Sequence, residues 1–566
     1  MSAPVPATRA HQEYWRRIGR QEIETSLRRQ VNWRPAKNVI LLVGDGMDPN
    51  TVTAARIHLA KEEGKLSFER FPHLGLLKTY STNKKVPDAA ASGTALFTGV
   101  KTNNGMIGVD VRVKFDDCMS SLSPHVRATS IMKWAQEVGK ATGFVTNRRV
   151  TDATVSALYA HSASRFWECN NVSREAQMCK DIGRQLMEDE PGRNLNVIFG
   201  GGRQTLMTNA PFTVYDKIDE FTCSRSDNRD LIESWLNDKA IRNVKSQYIQ
   251  SNNELVQLDT SRTEYALGIF SNSFLPYESQ RNKSLTGQPS LEFMVEPAIK
   301  LLKKNYNGFV LVVEAGLIDK AHHEGHARKA IEETIEFDKA VRKTMQVLHD
   351  HGLVDDTLVV VTGGHGHTMS INGYPNRNES IFGIADLSKH DGVPYTTLTY
   401  ATGSKVNFQY NRRDNWVSRE DPSSKDTTDI NYANLAAILT DKETHGGGDV
   451  TVYATGPMSH LFHGVHEETY VAHVIAYAAR FGPFRNSAEK VAPAFFIIVC
   501  SVFSFLRTSI VAKTSFATNA AKHIFRPLPN SRSSSGTGLI YDTLDAASTC
   551  GGHKLIVPTE ALKKSL

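Results

Sequence analysis

The chain has 566 residues, a net charge of +6 at pH 7, and apolar and charged fractions of 40% and 22%. These values are typical of a soluble globular protein with one large α/β domain or several smaller domains. The small net charge, without any block of like charges, argues against nucleic acid as a partner. The six cysteines form no Cys-x-x-Cys pair, which argues against a thiolate metal site and a cysteine-rich scaffold.

The N-terminal segment, residues 1–34, is polar and rich in arginine, and it has no apolar core of the signal-peptide type. Within it, His11–Arg28 has the pattern of an amphipathic surface helix. We interpret residues 1–34 as an N-terminal arm that precedes a large domain over residues 35–482.

Strands and helices alternate along that domain. Asn38–Met47 (NVILLVGDGM) has the pattern of a buried strand that ends in Gly-Asp-Gly. Further strands are predicted at Phe144–Thr146, Asn196–Phe199, Phe309–Val313, Leu358–Val361 and Val450–Ala454, and an amphipathic helix at Ala327–Leu348. This alternation predicts a mainly parallel sheet covered by helices. Residues 398–446 are polar, interrupt the alternation and are predicted to form a surface insertion.

Acidic residues and histidines follow several of the predicted strands. They include Asp45 after the first strand, Asp152 and Thr154 at i and i+2, Glu314, Asp319 and His323 after FVLVV, His365 and His367 after LVVV, and His445 among glycines. A carboxylate and an imidazole at i and i+4 supply half of a zinc site, and Asp and Thr oxygens suit a hard cation. Since ligands of parallel sheets bind at the carboxyl ends of the strands, the pattern indicates a metal site there.

The C-terminal part begins with an uncharged apolar run at residues 491–506. Its sixteen residues fall short of the roughly 20 that span a bilayer as a helix. The run matches the apolar tail of a GPI signal, and a buried strand is the alternative. Residues 507–566 are rich in Ser and Thr, and we expect them to be disordered.

Eight motifs occur in one order between about Glu13 and about Gly482: VGDGM, TVTAARI, SGTALFTGVK, YAHSASR, VEAGLIDKAHH, HGH, NGYP and ETHGGGDV. This colinear set resembles the animal alkaline phosphatases. The resemblance implies a three-layer α/β/α sandwich with a crown-like insertion and a homodimer. It also implies hydrolysis of phosphate monoesters by two Zn²⁺ ions and one Mg²⁺ ion.

The resemblance assigns roles to residues by position. The first zinc would be held by Asp319, His323 and His445, and the second by Asp45 and His365. Magnesium would be held by Asp45, Asp152, Thr154 and Glu314. Arg165 would clamp two phosphate oxygens with its planar fork. Cys118 and Cys179 stand at the positions of a family disulfide.

Two positions depart from the family pattern. The nucleophile stretch Val-x-Asp-Ser reads Val86-Pro87-Asp88-Ala89 here, so that Ala89 leaves the nucleophile position vacant. The zinc-ligand Asp that precedes the first His of HGH is Gly364. We therefore expect a weak second zinc site and an impaired or inactive phosphatase. An active phosphomonoesterase with a rearranged site and a non-enzymatic cell-surface protein are the alternatives.

The cellular location follows from the resemblance together with two sequence features. The apolar run 491–506 and the Asn-x-Ser sequons at Asn171, Asn282 and Asn378 predict a glycoprotein on the extracellular face of the cell membrane. The absence of a leader pattern in residues 1–34 argues against this location. The expected partners are phosphate or phosphate monoesters and a second copy of the chain.

Overall fold

A buried sheet centred on the strand Asn38–Gly44 organises the fold. The structure, a computed structural model, describes residues 12–170, 178–404, 407–411 and 416–486. The chain divides into Met1–Lys490 and Val491–Leu566, and the second unit lies outside the described residues.

The strands are β1 (Asn38–Gly44), β2 (His73–Lys78), β3 (Ala141–Arg149), β4 (Val197–Gly201), β5 (Ser246–Ile249), β6 (Tyr265–Ile269), β7 (Phe309–Ala315), β8 (Thr357–Gly363), β9 (Gly366–His367), β10 (Met369–Ile371), β11 (Ile384–Leu387), β12 (Pro394–Thr396), β13 (Leu398–Gly403), β14 (Phe408–Asn411), β15 (Trp416–Arg419), β16 (Ala436–Leu439), β17 (His445–Gly446), β18 (Val450–Thr455) and β19 (Gly464–Glu467). The helices are α1 (Gln12–Leu27), α2 (Pro49–Ala60), α3 (Ala89–Thr98), α4 (Cys118–Ser121), α5 (Ile131–Glu137), α6 (Ala153–Ser156), α7 (Ile182–Glu188), α8 (Arg203–Leu206), α9 (Leu231–Ile241), α10 (Asn252–Val256), α11 (Leu291–Leu302), α12 (Leu317–His323), α13 (Ala327–Asp350) and α14 (Tyr470–Ala479).

The main sheet has ten strands in the order β19-β2-β18-β8-β1-β7-β3-β4-β6-β5. The strands from β8 to β5 in that order are parallel, while β18 runs antiparallel to both β8 and β2. In the register of the central strands, Val43 is opposite Glu314 on one side and Thr362 on the other. The strands β1, β7 and β8 therefore end at the same level along the sheet.

Apolar residues of the central strands are divided between the two faces of the sheet. Ile40 and Leu42 of β1 are buried in one core, with residues of α11 and α13, and Val39 and Leu41 are buried in the other, with residues of α14. Alternation along a strand sends successive side chains to opposite faces, so a strand covered on both sides is apolar throughout. The predicted three-layer α/β/α sandwich is confirmed.

Several sequence predictions can be compared with these elements. The predicted strands are present, most of them longer than the apolar run by one or more residues, and β4 starts one residue later and ends two residues later than predicted. Residues 398–446 contain the short strands β13 to β17, which lie outside the main sheet: β14 pairs with β15, β13 and β16 form a sheet with β10, and β17 pairs with β9. The described residues include no helix that combines the length and the apolar character needed to cross a bilayer. The predictions for residues 491–506 and 507–566 lie outside the described residues.

Two disulfides are present in the described part of the chain. Cys118 is bonded to Cys179, as the family resemblance implied. Cys169 is bonded to Cys223, a pair that the sequence reasoning did not propose.

Candidate metal centre and active site

The predicted metal ligands meet at the carboxyl edge of the parallel strands. Asp45 follows β1, Asp152 and Thr154 belong to the start of α6 after β3, Glu314 lies in β7, Asp319 and His323 lie in α12, His365 follows β8, and His445 lies in β17. Six of the eight are buried, and His323 and His445 are partly exposed. Residues separated by as many as 400 positions are thus brought together, with His445 placed by the pairing of β17 with β9.

One cluster has the geometry of a metal site with three protein ligands. The Nε2 atoms of His323 and His445 lie 3.0 Å apart, and they lie 3.5 and 3.2 Å from Oδ1 of Asp319. Ligands that bind one zinc ion tetrahedrally at about 2.0–2.1 Å are separated by about 3.3 Å. The three predicted ligands of the first zinc therefore fit a single ion.

Hydrogen bonds fix the tautomers of these two histidines. Nδ1 of His323 lies 2.7 Å from the carbonyl of Glu443, and Nδ1 of His445 lies 2.8 Å from the carbonyl of Pro87. A carbonyl only accepts, so each Nδ1 carries the hydrogen and each Nε2 presents a lone pair. Burial lowers the pKa of His445 to about 3 and also lowers the pKa of His323. Two facing lone pairs 3.0 Å apart are an arrangement that a cation between them would stabilise.

His367 supports the cluster from the side. It pairs with His445 between β9 and β17, and its Nε2 lies 2.9 Å from Oδ1 of Asp319. Its Nδ1 lies 2.6 Å from Oε2 of Glu443. Burial lowers the pKa of His367, but Glu443 and Asp319 outweigh burial and raise it to about 10. Both ring nitrogens therefore donate, and His367 holds Asp319 in place rather than offering a lone pair to a metal.

The second zinc position has only part of a ligand set. Oδ1 of Asp45 and Nε2 of His365 lie 3.0 Å apart, both are buried, and neither has a hydrogen-bond partner among the described residues. The pKa of Asp45 is raised by burial and Asp319, but His365 and Arg148 outweigh them and lower it. Gly364 lies beside this pair, since a Cβ added there would be 3.7 Å from Oδ1 of Asp45. Oδ1 of Asp319 lies 3.9 Å from Nε2 of His365, so these three atoms could share a metal ion, to which Gly364 supplies no ligand.

The predicted magnesium position is already bridged by an arginine. Nη1 of Arg148 lies 2.9 Å from Oδ2 of Asp45 and 3.4 Å from Oδ1 of Asp152, and Nη2 donates to Oδ2 of Asp319. The buried Glu314 accepts from Thr146 through Oε2. Burial raises the pKa of Glu314 to about 8, and Asp45 adds to this effect. As arranged, these residues do not fit a magnesium ion, because Arg148 takes two of the predicted oxygens.

The vacant nucleophile position lies at the start of a helix. Ala89 begins α3, and Asp88 caps the helix by accepting from the backbone N–H of Ala91 at 3.0 Å. Asp88 also accepts from Nη1 of Arg165 at 3.0 Å. Burial lowers the pKa of Arg165, but Asp88 and Asp152 outweigh burial and raise it, which keeps the guanidinium charged. The capping carboxylate therefore positions Arg165 beside the first residue of the helix.

A cavity of about 720 Å³ connects the first metal cluster, Arg165 and the start of α3. Its lining includes Asp88, Ala89, Arg165, Asp319, His323 and His445. A phosphate group in the cavity could contact the Arg165 guanidinium, the helix start and an ion held by the first cluster.

Comparison with known proteins supports the same interpretation. The family model described as alkaline phosphatase matches residues 36–481. The chain belongs to the alkaline phosphatase family. The family is metal-dependent, which agrees with the clustered ligands.

Individual alkaline phosphatases resemble the chain over most of its length. The tissue-nonspecific isozyme of Gallus gallus is 40% identical over 500 residues, covering 86% of this chain and 93% of that protein. The membrane-bound alkaline phosphatase of Bombyx mori is 38% identical over 505 residues, covering 86% and 88%. The alkaline phosphatase of Thermus thermophilus shares the fold, with a TM-score of 0.56 at 20% identity, covering 84% of this chain and 95% of that chain. A mutant of the Antarctic TAB5 alkaline phosphatase, with Mg bound in its M3 site, has a TM-score of 0.53 at 20% identity, covering 80% and 100%.

Three residues of this alkaline phosphatase site were not assigned by the sequence reasoning. The sequence pattern places His367 beside His365 but indicates no role for it. Glu443 is buried, contacts Nδ1 of His367 and lies in residues 398–446, the predicted insertion. Arg148 lies at the end of the buried strand β3, four residues before Asp152. Because a charged residue is rarely buried without a partner, its place in a buried strand is the sequence signal that could have pointed to an ion pair.

Proposed function

We propose that this chain is a zinc-binding member of the alkaline phosphatase family that binds phosphate monoesters and hydrolyses them with severely impaired turnover. The observation that carries the proposal is the methyl group of Ala89, which lines the cavity at the helix start beside Arg165. By family resemblance, the attacking oxygen belongs at that position. Loss of the nucleophile of a serine hydrolase costs on the order of a millionfold in rate.

The zinc part of the proposal is supported by the first cluster. Asp319, His323 and His445 supply three protein ligands, the number typical of a catalytic zinc site that keeps one position open. A zinc ion bound there would act as a Lewis acid toward a phosphoryl oxygen. The second zinc is proposed to bind weakly, because Asp45 and His365 are its only separate ligands, and the third carboxylate near them, Asp319, already serves the first cluster.

The chain's own residues would bind and orient the substrate. Arg165 presents a planar fork that matches two oxygens of a phosphate, and its bond to Asp88 fixes the direction of the fork. The N-terminus of α3 adds a favourable partial positive charge for an anion. Binding of phosphate thus needs neither Ala89 nor Gly364.

Ser92 is the nearest candidate for a substitute nucleophile, and the structure argues against it. Ser92 lies one helical turn into α3, is 1% exposed and is not part of the cavity lining. A substrate in the cavity would face the Ala89 methyl group first. For the alternative of an active phosphomonoesterase with a rearranged site, α3 therefore supplies no hydroxyl group to the cavity lining.

The proposal is tested by measuring phosphate binding and hydrolysis separately on the zinc-loaded protein. Calorimetric titration with inorganic phosphate should show binding that Arg165→Ala weakens by at least about 10-fold. Arg184→Ala is the matched control, because Arg184 is exposed to a similar extent and is also ion-paired, but lies outside the cavity lining. Rapid hydrolysis of 4-nitrophenyl phosphate would instead favour the active alternative. Absence of both zinc and phosphate binding would favour the non-enzymatic surface protein.

We also propose attachment to the extracellular face of the membrane, with residues 491–506 as the anchor signal, and a homodimeric assembly. Two disulfides support an oxidising compartment, and the related Bombyx mori protein is described as membrane-bound. Treatment of intact cells with a GPI-cleaving phospholipase should release the protein into the medium. A protein recovered in the cytosol with Asn282 and Asn378 unglycosylated would contradict this location.

A further inference from the structure

We infer that Arg148 is a built-in cation that replaces the magnesium ion of this metal centre, so that the protein binds zinc without magnesium. The guanidinium contacts three carboxylates from three different elements. Nη1 donates to Asp45 at 2.9 Å and lies 3.4 Å from Asp152, while Nη2 donates to Asp319. Arg148 is 4% exposed, so these contacts are made away from solvent.

The residues around Arg148 leave a space that fits its side chain. A Cβ added to Gly316 would lie 2.4 Å from Cδ of Arg148 and 2.6 Å from its Cγ, so only glycine leaves room for the side chain to pass. The ring of Phe274 lies 5.3 Å from the guanidinium carbon, a cation–π contact. The backbone N–H of Arg148 is held by Oγ1 of Thr146 at 2.9 Å.

Arg148 uses one oxygen of each bridging carboxylate and leaves the other to the zinc side. It contacts Oδ2 of Asp45 and Oδ2 of Asp319. Oδ1 of Asp319 faces His323 and His445, and Oδ1 of Asp45 faces His365. The guanidinium is therefore compatible with an ion in the first cluster.

The same placement is incompatible with magnesium. A magnesium ion bound by Asp45 and Asp152 would need their oxygens at about 2.0–2.1 Å in an octahedral arrangement. The Nη1 nitrogen of Arg148 already lies between Oδ2 of Asp45 and Oδ1 of Asp152. Two cations in contact with the same buried oxygens would also repel each other strongly. One permanent positive charge thus takes the place of an exchangeable divalent ion.

This inference rests on the proposed zinc centre and is tested by metal titration of the full-length protein. Zinc-loaded protein should bind no magnesium up to millimolar concentrations in calorimetry. Arg148→Ala should gain one magnesium site, with a dissociation constant at least about 100-fold below the highest magnesium concentration at which the unmodified protein shows no binding. Arg203→Ala is the matched control, because Arg203 is similarly buried at 6% exposure and is paired with Asp216 at 2.7 Å, away from the metal centre. The control should gain no site.

A second measurement decides the matter if the Arg148 variant does not fold. Crystals of the unmodified protein soaked in manganese should show no anomalous peak among Asp45, Asp152, Thr154 and Glu314. A peak there, with Arg148 turned into the cavity, would overturn the inference, as would equal magnesium binding by the unmodified and Arg148→Ala proteins. Absence of zinc from the unmodified protein would overturn the proposed zinc site instead, so the two failures are distinguishable.

Discussion

Replacing Gly364 by aspartate restores, by position, the missing ligand of the second zinc and should make protein stability depend on zinc. An added Cβ would lie 3.5 Å from Cβ of Ser92 and 3.7 Å from Oδ1 of Asp45, which are ordinary contacts, so the side chain has room. Its carboxylate would then lie about 4 Å from that of Asp45, where two like charges repel by about 4 kcal/mol at an effective dielectric constant near 20. One of the two carboxyl groups can avoid this repulsion by taking up a proton, which costs about 1.4 kcal/mol for each unit by which its pKa is raised. We expect the metal-free variant to lose about 2–4 kcal/mol of unfolding free energy.

Chemical denaturation in EDTA and in excess zinc measures both effects. Gly364→Asn is the control, because it has nearly the same shape without the charge, and it should lose about 1 kcal/mol or less in EDTA. Zinc at a thousand times its dissociation constant should add about 4 kcal/mol to the Asp variant through the second site. Equal stability of the Asp and Asn variants in EDTA, or no extra stabilisation of the Asp variant by zinc, would refute the placement of Gly364 beside Asp45.

Three further predictions concern activity, pH and covalent bonding. Ala89→Ser combined with Gly364→Asp should raise aryl phosphate hydrolysis far more than either single change, because serine and zinc act as one unit; a double variant no faster than the singles would contradict this. Burial raises the pKa of Glu333 to about 8, so the folded state binds more protons than the unfolded state between about pH 4.5 and 8, and stability should fall as pH rises through that window. The pKa of Glu314 is also raised to about 8, so Glu333→Gln should remove only the share of Glu333, which denaturation at pH 6 and pH 9 would detect as a difference of up to a few kcal/mol from the unmodified protein. Cys118→Ser with Cys179→Ser should lower stability by about 4 kcal/mol, since the bond closes a loop with a sequence separation of 61; denaturation curves that coincide with those of the unmodified, oxidised protein would contradict this.

The central strand and its site residue could be predicted because their signals are local. Asn38–Val43 is apolar throughout and ends in Gly-Asp-Gly, and a strand buried on both faces needs that pattern. The colinear motifs then identified the family, and with it the eight metal positions. Seven of the eight lie at or just after the carboxyl ends of the parallel strands β1, β3, β7 and β8, and His445 is brought to the same place by the pairing of β17 with β9.

Arg148 could not be predicted in the same way because its environment is assembled from distant segments. Its carboxylate partners Asp45 and Asp319 are 103 and 171 residues away in sequence. Arginine is mostly exposed in proteins, so a pair of arginines after a strand favours a solvated position unless the partners are known. Glu443 was missed for a similar reason, since it reaches His367 from the insertion, 76 residues away.

The measurement that tests the account most directly is the steady-state hydrolysis of 4-nitrophenyl phosphate at alkaline pH by the unmodified protein, with zinc and magnesium supplied. The Arg165→Ala variant serves as the reference for background hydrolysis. We expect both proteins to turn over far below the usual range of enzymes, because the Ala89 methyl group provides no nucleophile. Turnover of 1–10³ per second, the usual range for enzymes, that Arg165→Ala abolishes would contradict it.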